Sequence, residues 1–186
     1  MKEGKCEVRV TGLGGQGVIL CSYILGKAAA LHGGFNATMT QSFGPEARGS
    51  ACSAQIIIDK ERILDPYLRK QDVLVALSQD GYEKFAGDMN SSAVLIYEKD
   101  LVTPNGKDKG TVKAYGIPAT RLAQDVIGIS MTVNIIMLGF FAAATELVSK
   151  ESFLEAVKSS VPAGTEKSNL LAFETGYEYF GKTYGT

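Results

Sequence analysis

Residues 12–17 read Gly-Leu-Gly-Gly-Gln-Gly, four glycines in six positions. They follow an apolar alternation at Cys6, Val8 and Val10 and precede apolar residues at helical spacing, Ile19, Leu20, Tyr23, Ile24 and Leu31. A glycine turn between a strand and a helix leaves free backbone N–H groups at the helix N-terminus, and such groups attract an anion. Gly12, Gly14 and Gly17 also satisfy the G-x-G-x-x-G spacing of dinucleotide-binding turns, with Gly15 and Gln16 between them. That chemistry needs an acid about twenty residues on, to hold the ribose hydroxyls. Here the region reads Phe35-Asn36-Ala37-Thr38-Met39-Thr40-Gln41, with no acid. The loop is therefore read as a place for an anion, a phosphate group or a carbonyl of a neighbouring chain, or as glycines that only let helix and strand pack closely.

A second loop, residues 42–50, carries Gly44, Pro45, Glu46, Arg48, Gly49 and Ser50. Pro45 stiffens it, and Glu46 and Arg48 are the only charges between Lys27 and Asp59. A guanidinium in such a frame can hold carboxylate or phosphate oxygens with two hydrogen bonds, or can pair internally with Glu46 and shape the loop. Asn134, in an apolar helical stretch, and Lys167 with Asn169, near the last helix, are secondary binding candidates, each with capping or a buried hydrogen bond as the plainer role.

No catalytic residue is evident. The single histidine, His32, ends the first helix, where it complements the helix dipole or faces solvent. There is no Ser–His or Cys–His relay, and the carboxylates are spread singly. Cys6, Cys21 and Cys52 form no C-x-x-C pair, so neither a disulfide framework nor a metal or cluster site is readable. Any chemistry must come from a cofactor or another chain.

The elements that position these residues alternate early and turn helical late. Strands are expected at Cys6–Val10, at residues 35–41, at Ala51–Ile58, at 72–78 and at 92–98, and a helix from Val18 to Leu31 that Gly33-Gly34 stops with a left-handed cap. The turn chemistry of residues 105–110 predicts a hairpin or short edge strands joining Leu101-Val102 to 111–115, and after Pro118 the chain reads as helical. The result is an α/β fold, a three-layer α/β/α sandwich around a mostly parallel sheet of about five or six strands, with a helical C-terminal third. Ligands of such sheets sit at the carboxyl ends of the strands, where both loops fall.

A chain of 186 residues fits a single domain, 1–186. With 19 Lys and Arg against 20 Asp and Glu, it has no positive field for nucleic acid or an anionic membrane. The start lacks the apolar core of a secretory signal, and free thiols suit a reducing compartment, so the cytoplasm is the expected location. Residues 126–145 carry no charge over about the length of a membrane span. Gly128, Ser130, Thr132, Asn134 and Gly139 interrupt them, and a helix buried in the core or in a subunit interface is expected instead.

The motifs GLGGQGV, SFGPEARGS, DVLVALSQDGYEKF, GIPATRLA, NIIMLGF and EKSNLLAFETGYE, in this order from about Cys6 to Tyr179, resemble the gamma subunit of 2-oxoacid:ferredoxin oxidoreductases. The family commonly has Tyr where Phe43 stands and Gly where Ser50 stands. The resemblance implies an α/β/α domain like the gamma domain of pyruvate:ferredoxin oxidoreductase, inactive alone, that helps form the coenzyme A site. Thiamine diphosphate with its magnesium and the iron–sulfur clusters would then belong to alpha, beta or delta partner subunits, with ferredoxin reached through the complex. The pattern SQDGYEKF is more similar to the 2-oxoglutarate enzyme than to the pyruvate or ketoisovalerate enzymes. The alternatives are a purely structural subunit, its loops acting as docking surfaces, and a free-standing NAD-binding oxidoreductase, against which the absent acid after residues 35–41 counts.

Overall fold

A computed structural model describes residues 4–44, 49–106 and 113–185. Six strands, β1 Lys5–Leu13, β2 Asn36–Phe43, β3 Ala51–Asp59, β4 Gln71–Ala76, β5 Met89–Glu98 and β6 Lys113–Ile117, form one sheet in the order β2-β3-β1-β4-β5-β6. β1, β4, β5 and β6 pair in parallel, whereas β3 runs antiparallel to both β1 and β2. The helices are α1 Val18–Lys27, α2 Gln79–Phe85, α3 Ala119–Leu122, α4 Val133–Thr145, α5 Lys150–Lys158 and α6 Glu166–Tyr184.

The period-two pattern explains the layers. In β1, Cys6, Val8 and Val10 face a large core shared with α1, α4, α5 and α6. The alternate residues Glu7, Arg9 and Thr11 face the opposite side, where α2 lies over β1, β3 and β4. Strands in the middle of the sheet are apolar on both faces, so β4 splits its Val73 and Val75 from its Leu74 and Ala76 between two cores. The sandwich has three layers of unequal weight, a broad helical layer on one face and the seven-residue α2 on the other.

Several details differ from the sequence reading. The first helix changes pitch, Ala28–His32 forming a widened turn with i→i+5 bonds, and the left-handed stop falls on Gly34 (φ 73°) rather than Gly33 (φ −94°). Among the described residues Leu101-Val102 form no strand, whereas β6 is a short strand at the edge of the sheet, as the second of the two expected arrangements has it. Val102 is buried with Tyr82 in the smaller core, and β6 pairs in parallel with β5. The parallel pairing of β6 is a long-range choice of partner, which turn composition alone could not show. Residues 107–112 of the expected turn lie outside the described residues.

The uncharged stretch 126–145 is not one helix. A left-handed Gly128 (φ 75°) and a 3₁₀ turn at Ser130–Thr132 precede α4, whose residues from Asn134 to Ala142 are buried in the core. Among the described residues no helix is long and apolar enough to cross a membrane. The small residues of α4 serve this chain's own packing. A Cβ at Gly139 would collide with the Phe173 carbonyl of α6, and one at Gly176 with the Ile136 carbonyl of α4. Glycine at both positions brings the two backbones together.

Candidate functional site

The two loops meet. β1 and β3 pair with Gly12 opposite Cys52 and Leu13 opposite Ala51, and the backbone contact continues past the ladder. The Gly14 N–H donates to the Ser50 carbonyl at 2.9 Å, and the Gly49 N–H donates to the Gly14 carbonyl at 3.3 Å. Gly44 closes the same edge, its N–H donating to the Ala51 carbonyl at 2.9 Å. Gly12, Gly14, Gly15, Gly17, Gly44, Gly49 and Ser50 thus share one end of the sheet, at the carboxyl ends of β1 and β2. Glu46 and Arg48 belong to the same loop but lie outside the described residues.

The polar side chains near the glycine turn are spent on building it. Gln16 accepts from the Leu13 N–H at 2.6 Å and donates to the Leu77 carbonyl at 3.0 Å, tying the turn to the end of β4. Gly17, the residue before α1, is left-handed at φ 73°, and a Cβ there would lie 2.5 Å from Asn134 Nδ2. Asn134, only 3% exposed, donates to the Gly17 carbonyl at 3.3 Å and so joins α4 to the turn. No side chain caps the first turn of α1, whose amides are free of that competition.

Lys167 and Asn169 are not brought to this edge. The contacts of Gly139 with Phe173 and of Gly176 with Ile136 make α4 and α6 antiparallel, which carries the start of α6 to the far end of α4, about 20 Å away for a helix of that length. There Asn169 donates to the Thr165 carbonyl at 2.9 Å and to its hydroxyl oxygen at 3.1 Å, a bond local to the start of α6. Chain proximity to the last helix could not reveal which end of it faces the loops.

The topology also explains the missing ribose acid. A dinucleotide-binding unit sets its second strand beside the first, in parallel. Here antiparallel β3 occupies that place, and β2 lies one strand further out.

Beside the joined loops, on the α2 face, is a cavity of about 150 Å³ lined by residues that include Thr11, Ser42, Phe43, Ser53, Asp80 and Lys84. None of these was singled out as a binding residue from sequence. The available signal was the position of residues 79–85 directly after the carboxyl end of a buried strand, where such sheets bind ligands. α2 begins at Ser78, whose hydroxyl accepts from the Gly81 N–H at 3.2 Å, and Gly81 lets it approach Thr11, since a Cβ there would lie 2.6 Å from the Thr11 hydroxyl. Behind the cavity the Arg9 guanidinium stacks 4.1 Å from the Phe85 ring and donates to Gln71 Oε1 at 2.8 Å. Burial lowers the Arg9 pKa, opposed by the nearby Asp88.

The thiols are not nucleophiles. Burial pushes Cys6 and Cys21 up to about 12 and also raises Cys52, which lines the cavity, so all three are protonated near neutral pH. The arrangement can bind and orient an anionic or polar ligand, and leaves bond-making to groups from elsewhere.

Comparison with known proteins shows the family. Residues 7–179 match the pyruvate ferredoxin/flavodoxin oxidoreductase family. The 2-oxoglutarate synthase subunit KorC of Methanocaldococcus jannaschii is 46% identical over 92% of this chain and 92% of its own length. The KorC subunit of Methanothermobacter marburgensis is 41% identical over 92% and 95%. The crystal structure of a keto/oxoacid ferredoxin oxidoreductase gamma subunit from Geobacter sulfurreducens superposes with a TM-score of 0.80 at 34% identity, over 93% of this chain and 96% of that one. The fold recurs within a longer chain, the 2-oxoglutarate:ferredoxin oxidoreductase of Magnetococcus marinus, at a TM-score of 0.85 and 20% identity over 100% of this chain and 32% of that one. The chain therefore belongs to the pyruvate ferredoxin/flavodoxin oxidoreductase family, as a gamma-type subunit of its 2-oxoacid:ferredoxin oxidoreductases.

Proposed function

We propose that this subunit serves a cytoplasmic enzyme that converts 2-oxoglutarate and coenzyme A to succinyl-CoA and carbon dioxide while reducing ferredoxin, and that its joined loops line the place where coenzyme A binds. The observation that carries the reading is the pair of backbone hydrogen bonds between Gly14 and residues 49 and 50, which sets the two loops on one edge. Amides at the start of α1 and the guanidinium of Arg48 suit the phosphates of coenzyme A. Choice of 2-oxoglutarate is supported by relatives: the KorC subunits above are 46% and 41% identical, against 32% for the pyruvate synthase subunit PorC of Methanothermobacter thermautotrophicus.

The remaining chemistry falls to alpha and beta partner chains, with or without a delta chain. Their thiamine diphosphate and magnesium supply the decarboxylating chemistry, and iron–sulfur clusters pass electrons to ferredoxin. This chain's own residues form a wall that binds and orients coenzyme A and closes the subunit interface. The three cysteines of this chain, with no C-x-x-C pair, do not make up the four-thiolate set of a cluster.

In a reconstituted complex, Arg48→Ala is expected to raise KM for coenzyme A about tenfold, the cost of one charge-assisted contact, with assembly intact. An unchanged KM in the assembled enzyme would exclude Arg48 from the site. A docking role for the glycine turn is favoured by one finding, the consumption of Gln16 and Asn134 in internal hydrogen bonds, and that reading predicts weakened assembly instead.

A further inference from the structure

Three hydroxyl groups on the α2 side of the sheet form a row across β2, β3 and β1. Ser53 of β3 lies opposite Ser42 of β2 on one side and opposite Thr11 of β1 on the other. Residues opposite one another across a ladder share a face, and adjacent strands are about 4.8 Å apart, so the three oxygens span roughly 10 Å along one line. All three residues line the cavity.

Ser53 is 7% exposed and lines the cavity, and its hydroxyl has no hydrogen-bond partner among the described residues. It differs from Thr40, whose fully enclosed hydroxyl is the orphan of the described residues: the Ser53 oxygen is open to the cavity. Water can reach that oxygen, so it carries no desolvation penalty, and with no protein acceptor it remains a donor that an oxyanion entering the cavity can engage. Thr11 has only a long bond, 3.4 Å, to the Cys52 carbonyl.

A cation completes the row. Lys84 lines the cavity, its ammonium 5.2 Å from the centre of the Phe85 ring, and no carboxylate lies within ion-pair distance of it among the described residues. Asp80, one turn earlier on α2, lines the same cavity and opposes an anion there. Ligand sites for drug-sized molecules run from about 300 Å³ upward, so a cavity of about 150 Å³ receives one group of a larger molecule and not the whole.

We propose that Ser42, Ser53 and Thr11, with the Lys84 ammonium, form a subsite for an oxyanion, a phosphate or a carboxylate carried by a substrate of the assembled enzyme. Hydroxyl and ammonium donors match the acceptor-only oxygens of such a group. The assignment deepens the proposed function and rests on it for the identity of the substrates.

The test uses the assembled enzyme carrying Ser53→Ala, Lys84→Met or Lys84→Arg, with coenzyme A and the 2-oxoacid varied separately. Ser53→Ala and Lys84→Met are each expected to raise KM about tenfold for one of the two substrates with kcat little changed. Lys84→Arg should restore most of the loss, and Asp80→Asn should lower the same KM, changes that a purely structural role would not produce. A rise for coenzyme A assigns the subsite to a phosphate. A rise for the 2-oxoacid assigns it to a carboxylate, and the coenzyme A reading is then judged on Arg48→Ala alone. Both constants within twofold of wild type, in complexes shown to be assembled by size-exclusion chromatography, would overturn the subsite whatever Arg48 does.

Discussion

Each buried thiol is a residue-scale statement about pH. Cys6 packs on the helical face of β1 and Cys21 within α1, where burial holds both pKa values near 12, above the ordinary value of 9.0. A folded-state pKa above the unfolded one means that the thiolate is favoured on unfolding. Stability from these two groups is complete below pH 9 and falls as pH rises from there to about 12. Each such group would remove up to about 1.4 kcal/mol per pH unit in that window. At pH 8 a thiol reagent should therefore find Cys6 and Cys21 unreactive in the native protein, with Cys52, at the cavity wall, reacting first, and all three only after denaturation. Fast labelling of Cys21 in the native state would contradict this burial.

At the scale of elements, the contact between α4 and α6 depends on two glycines whose replacement is not equivalent to replacement of a third. Alanine at Gly139 or Gly176 would drive a methyl group into a facing backbone carbonyl, and backbone cannot yield as a side chain can. A loss of about 3 kcal/mol or more is expected, at or beyond the upper end of overpacking costs. Gly181, in the same helix, has nothing within 4 Å of an added Cβ, so Gly181→Ala should stabilise by about 0.5–1 kcal/mol through helix propensity. Urea denaturation of the three variants reads the difference directly, and equal effects would refute the close approach. The same interface shows what sequence could convey. The apolar stretch with small residues marked α4 as a packing helix, but whether those residues met another chain or this one depended on the partner helix, about thirty-five residues later. Likewise the strand at residues 92–98 was plain from its apolar run, whereas the parallel pairing of β6 is a long-range choice that local turn residues could not show. The two loops were legible because glycine and proline chemistry is local. The hydroxyl row was not, since Ser42, Ser53 and Thr11 become neighbours only through ladder register.

For the whole molecule, the unequal layers set where it opens. One face of the sheet is covered by α1, α3, α4, α5 and α6 sharing a large core, and the other by α2 and a small core that includes Leu74, Tyr82 and Leu95. Local openings follow the smallest buried apolar area, so α2 should separate from β1 and β4 at lower cost than α4 leaves the main core. What resists that opening is the buried Tyr82 ring, together with the Arg9 stack on Phe85 and the bond from Gln71 Nε2 to the Phe85 carbonyl. Native-state hydrogen exchange should accordingly show amides of residues 82–85 exchanging through a sub-global opening, while those of 137–142 exchange only on global unfolding. Because the cavity lies between α2 and the strand ends, a ligand seated there binds only the closed form and must raise the cost of that opening. At one hundred times its dissociation constant it should add about 2.7 kcal/mol to the protection of α2 if the open form does not bind. Protection of α2 unchanged at saturating coenzyme A and 2-oxoacid, measured in the assembled enzyme, would mean that the carboxyl-edge cavity takes no part in substrate binding.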